Sequence, residues 1–104
     1  MTRMPNPMRG ETSLTVAGTT HLLRPSFESL VAAEEEIGPL FALVERASEG
    51  SLTLKEMGAL VWHCIPGEER PAREEIGDAL LEMGLVAATK PVRTILSQVL
   101  QGRG

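Results

Sequence analysis

Residues 26–38 read SFESLVAAEEEIG. Ser26 is a capping residue type, whose hydroxyl accepts a bond from an unpaired backbone N–H of a first helical turn. Phe27, Leu30, Ala33 and Ile37 follow at helical spacing, and Gly38 supplies the stop. This predicts an amphipathic helix with those four residues on its buried face. Glu34, Glu35 and Glu36 break the local rule, because carboxylates in a last turn lie at the negative end of the helix dipole. Such a run is either a solvated face or an acidic patch that docks a basic partner.

Upstream, residues 11–16 alternate polar and apolar side chains, with Leu14 and Val16 on one face and Thr15 on the other. Residues 20–24 are again rich in strand formers, and Ala17-Gly18 lies between the two runs. A β-hairpin is expected. It is marginal alone in water, so it must lie on the helices or on another subunit. Residues 1–9, MTRMPNPMR, carry two prolines and no periodicity and read as a disordered lead-in, with Met1, Met4 and Met8 each a candidate start.

Downstream, Pro39 suits a first helical position, and Leu40, Leu43, Val44 and Ala47 mark a short second helix ending at residues 48–51. Thr53 and Glu56 form a capping box for a third helix, with Leu54, Met57, Leu60, Val61, Cys64 and Ile65 on its buried side. Pro71 opens a fourth, with Ile76, Ala79, Leu80 and Met83 inward, before Gly84. A last helix is expected to begin near Thr89 and Pro91 and to bury Val92, Ile95, Leu96, Val99 and Leu100. Residues 102–104 are expected to fray. The expected fold is α+β: an N-terminal β-hairpin and a bundle of about five short helices, one domain over residues 10–101.

The totals narrow the function classes. A 104-residue chain with 42% apolar residues is a small globular domain, and with two Phe, one Trp and no Tyr its core must be aliphatic. A net charge of −4 disfavours general nucleic-acid binding. No apolar run has the length of a membrane span, no signal peptide opens the chain, and one cysteine makes no internal disulfide. A cytoplasmic setting is expected.

No catalytic apparatus stands out. His63 and Cys64 are adjacent, so on a helix they point about 100° apart and do not converge on one ion. With two His and one Cys the chain lacks a structural zinc set, even with His21 arriving from the hairpin. Cys64 is expected in the core and His63 at the surface. The glycines carry no phosphate-loop pattern, and no cofactor is implied. A helix-turn-helix reading fails because the fourth helix presents Glu74, Glu75, Asp78 and Glu82 where a recognition helix presents donors. Trp62, away from the buried stripe and beside Gly58, is either an interface anchor or packs under the hairpin or the fourth helix.

The order of segments resembles the tail assembly chaperones of gene transfer agents, which belong with those of phages. The resemblance is carried by Ser26, Phe27, Leu30, Glu34, Ile37 and Gly38, then by Gly50, Leu52, Thr53 and Met57, within roughly residues 10–100. It implies a non-enzymatic protein that binds the tape-measure protein before the tail tube polymerises and yields to tube subunits afterwards. Glu34, Glu35, Glu36 and Trp62 are the candidate partner-binding residues. That assignment is inferred from their placement and is not carried over from the family pattern. A small virion-associated structural or adaptor protein is the alternative, and self-association is a further option. Neither nucleic acid nor membrane is an expected partner.

Overall fold

Two strands, β1 (Thr12–Val16) and β2 (Thr19–Leu23), lead into five helices. These are α1 (Phe27–Ile37), α2 (Leu40–Glu49), α3 (Leu54–Cys64), α4 (Arg73–Met83) and α5 (Leu85–Gln101), with a short 3-10 turn at Gly67–Glu69. The structure, a computed structural model, describes residues 12–102, so the expected lead-in over residues 1–9 lies outside it. Gly102, placed in the fraying end, caps α5. The α+β architecture expected from the sequence is the one adopted.

The strands pair antiparallel, with Leu14 opposite His21 and Val16 opposite Thr19. Period-two alternation puts Leu14, Val16, His21 and Leu23 on the buried face, while Thr15 and Thr20 face outward with their hydroxyls 3.1 Å apart. Only two residues turn the chain, and both have positive φ: 49° at Ala17 and 84° at Gly18. That is the primed hairpin geometry, which matches strand twist. Glycine adopts it freely, whereas alanine is strained there.

The hairpin rests on α4 and α5, and α2 rests on α5, while the central helix is α3. It buries Met57, Ala59, Leu60, Val61 and Cys64, a wide arc of its circumference, and packs on α1, α4 and α5. Its start is the expected capping box: Glu56 N–H donates to Thr53 Oγ1 at 3.1 Å, and Thr53 N–H to Glu56 Oε1 at 3.0 Å. Glu56 also pairs with Arg46, which ties α2 to α3.

Four expectations are corrected. Phe27 is 86% exposed, because it stands about 80° round the helix from the centre of the Leu30, Ala33 and Ile37 stripe. Leu54, Met83 and Leu100 lie on the expected faces but at helix ends, where they overhang their neighbours and stay exposed. The fourth helix starts at Arg73 and not at Pro71. The last begins at Leu85 and runs through Pro91. Gly84 (φ 88°) both closes α4 and starts α5, so no linker is needed. Pro91 withholds an N–H from the carbonyl of Ala87, but Ala87 is exposed to water and the proline ring is buried in the core.

Relieving the strained turn should stabilise the fold. Ala17→Gly and Ala17→Asn are each expected to add about 1 kcal/mol, seen as a rise of several degrees in Tm by calorimetry. A fall in Tm for both would mean that the Ala17 side chain makes a contact that outweighs its backbone strain.

Candidate interaction surfaces

The three consecutive glutamates have three different fates. Pro39 offers no side-chain cap to α2, and Glu34 fills that place: the Leu40 N–H donates to its Oε2 at 3.0 Å. A carboxylate misplaced at the end of α1 is thus well placed at the positive start of α2. Glu36 takes a two-pronged grip from Arg73, Nη1 to Oε2 at 2.7 Å and Nη2 to Oε1 at 2.6 Å. The ionised carboxylate also accepts from His63 Nε2 at 2.8 Å, which sets that imidazole's tautomer. Glu35 is exposed and has no hydrogen bond or ion pair among the described residues.

Trp62 joins the same network from α3. Its indole N–H donates to the Pro71 carbonyl at 3.0 Å, and the guanidinium carbons of Arg70 and Arg73 lie 4.2 and 4.1 Å from the ring centroid. The His63 ring meets it edge-on at 4.9 Å. Two of the candidate partner residues, Glu36 and Trp62, therefore converge through Arg73, while Glu34 and Glu35 belong to other neighbourhoods. Trp62 is half-buried against the link into α4. His63, expected at the surface, is half-buried too, since its side chain keeps only 12% of its exposure.

Electrostatics follow from these contacts. The Arg73 guanidinium, then His63, hold the Glu36 carboxyl down at about 2, against opposition from burial. Burial pushes Glu56 up, but the Thr53 N–H and Arg46 outweigh it, so this carboxyl too lies below its ordinary value. Burial drives the Cys64 thiol up to about 12, and the side chain sits in the core as expected. His21 is buried on the hairpin's inner face, and its Nδ1 has no hydrogen-bond partner among the described residues. Among the described residues no group of three or more His, Cys, Asp or Glu is placed to hold a metal ion.

Apolar surface is the other feature. Both phenylalanines of the chain are outside, Phe27 at 86% and Phe41 at 76% exposure, while Leu81, Leu85 and Val86 project at the α4–α5 corner. Between α2 and α5 runs a groove made of two adjoining hollows of about 280 and 240 Å³. Val44, Leu96 and Leu100 line one, Leu52, Met57 and Val86 the other, and Ala47 and Arg93 line both. Sequence reading missed Arg70, Arg73, Arg93 and Phe41. For Phe41 a signal existed, an aromatic residue standing off the Leu40–Leu43–Val44–Ala47 stripe.

The Glu36 cluster gives the acid limb of stability a definite sign. A carboxyl at about 2 in the fold and 4.5 when free contributes stability in full above pH 4.5, and that contribution is lost as pH falls toward 2. Glu36→Gln should therefore lower stability at neutral pH and flatten, without abolishing, the loss between those values, because Glu56 acts in the same sense. Urea titrations at a series of pH values measure it; an unchanged slope would remove Glu36 as a contributor. The Cys64 thiol should react with a thiol reagent only on unfolding, so stoichiometric labelling of the native protein would contradict its burial.

Comparison with known proteins yields one family. The family model described as "phage tail tube protein, GTA-gp10" matches residues 9–102. No curated protein and no solved structure matches the chain. The match takes in the hairpin and all five helices, and the chain belongs to this family of phage tail and gene transfer agent assembly proteins.

Proposed function

We propose that this protein is a non-enzymatic tail assembly chaperone that acts in the cytoplasm, binding the tape-measure protein before the tail tube polymerises and giving way to tube subunits. The observation that carries the reading is the amount of large apolar side chain left outside so small a domain. Phe27, Phe41, Leu81, Leu85, Val86 and Leu100 are all more than 48% exposed, lowest at Leu85 with 49%. Isolated exposed apolar residues are ordinary, but this many, including every phenylalanine, fits a surface made to cover another protein's apolar seam. In this reading Glu35, the carboxylate of the run without a partner, meets basic residues of the tape-measure protein. Glu36 and the exposed edge of Trp62 offer a separate contact around Arg73, and Glu34 is engaged at the start of α2.

The wording of the family description favours a second reading, in which the chain is a structural subunit that stays in the tail. Co-expression with the tape-measure protein of the same gene cluster, followed by size exclusion, tests the first. Co-elution in several copies, together with absence of the chain from purified particles by mass spectrometry, is the expected result. A chain that elutes alone but is abundant in finished particles would replace the chaperone by the structural subunit. Within the complex, Glu35→Lys should reduce the copies bound, and an unchanged ratio would exclude the acidic run from the contact.

A further inference from the structure

One row of side chains on α5 lacks the helix that its spacing calls for. Val86, Thr89, Arg93, Leu96 and Leu100 follow one another at +3, +4, +3 and +4, the repeat of a seam that receives a second helix by knobs-into-holes packing. All five line the α2–α5 groove. Val86 is 89% and Leu100 54% exposed at the two ends of the row, and only Leu96 within it is buried. Across the groove, Ala47 and Ser48 of α2 and Gly50 just beyond it present small side chains, which let another helix approach closely.

The polar groups of the row make one demand. The Thr89 hydroxyl donates to the Val86 carbonyl at 2.6 Å, so it asks nothing of a partner. Arg93 borders both hollows, is the one charged residue lining them among the described residues, and makes no hydrogen bond or ion pair there. Glu45 and Glu49 of α2 stand about 100° or more round their helix from the Val44–Ala47 lining. A single polar residue in an apolar seam sets register, because whatever buries the seam must place an opposite charge against it or leave it unpaired.

We infer that the α2–α5 groove seats a partner helix of about 15 residues whose apolar seam carries one acidic residue at its centre, against Arg93. The row from Val86 to Leu100 is about 21 Å long, which a helix of that length spans. For the source of the helix the inference rests on the chaperone reading, in which it is a segment of the tape-measure protein. The charge sense is opposite to that of the contact assigned to Glu35, so the two contacts select different segments of the partner. The chain's own residues 1–11 are a poorer occupant, since Arg3 and Arg9 bring like charge and Pro5 and Pro7 interrupt a helix.

The probe is a synthetic helical peptide of about 16 residues, end-labelled, with leucines at alternating +3 and +4 spacing and one central glutamate. Fluorescence anisotropy against the full chain at low salt should show saturable binding. The same peptide with lysine at its centre should bind roughly tenfold more weakly. Arg93→Glu should reverse that order, and Val86→Asp should weaken both peptides. The reversal is decisive, because a substitution that merely damaged the fold would weaken both alike. No binding, equal affinity for the two peptides, or a preference unchanged by Arg93→Glu would each overturn the inference. So would binding that appears only once residues 1–11 are removed, or only as an oligomer breaks up, which would give the groove to that segment or to a second copy. Co-elution of the unaltered chain with the tape-measure protein tests the chaperone reading independently, so the loss of either result leaves the other standing.

Discussion

The carbonyls at the end of α3 have to be paired inside the protein, and much of the structure exists to do it. A helix leaves its last carbonyls without internal donors, and Cys64 and Ile65 are fully buried there. The Arg24 N–H, where the chain leaves β2, donates to the Cys64 carbonyl at 2.7 Å. Arg70 reaches back from the link to donate Nε to Ile65 O at 3.1 Å and Nη2 to His63 O at 3.4 Å. A cation at this end also suits the helix dipole. One helix terminus thereby fixes the exit of the hairpin and the path into α4, and Arg70 resting on Trp62 carries the constraint to the surface.

The same arithmetic explains why the acidic run is tolerated. Three carboxylates at the negative end of α1 should be unfavourable, yet Glu34 is spent on the start of α2 and Glu36 on Arg73 and His63. What looks like an electrostatic fault along one helix is a pair of tertiary links once its neighbours are in place. Glu35 alone keeps its charge unpaired, and it shares an outward face with Phe27 and Val31. Structural ion pairing and unpaired charge are therefore separated residue by residue within a single turn.

The fold was legible because its signals are local. The capping box at Thr53 and Glu56, the period-two alternation at Leu14 and Val16, and the stripe through Ile95 and Leu96 each depend on neighbours a few residues away. The start of α5 was not, since Pro91 reads as a first-turn residue unless the burial of its ring and the exposure of Ala87 are known. The surfaces were legible only in part. Glu36 and Trp62 could be singled out, but Arg73, 37 residues from Glu36, joins them only through the packing of α1, α3 and α4. Helix overhang was invisible for a similar reason: periodicity gives the face of Leu54, Met83 and Leu100, while the ends of the neighbouring helices decide whether that face is covered.

Part of the uncovered apolar surface, Phe41 and the α2 side of the groove, lies where the bundle is least tied. α2 buries only Leu43 completely, rests chiefly on α5, and is linked to α3 by the Arg46–Glu56 pair. The first turns of α5 precede a proline that removes one rung of the hydrogen-bond ladder. Elements with few buried contacts are those that open at least cost, so the α2 wall of the groove belongs to the adaptable part of the molecule, whereas α5 buries Ala88, Pro91, Val92, Ile95 and Leu96 and stays with the core. α3, α4, α5 and the hairpin supply the frame against which that wall is held. For a chaperone of the kind proposed, such a division lets the α2 margin yield to a partner while the core keeps its packing.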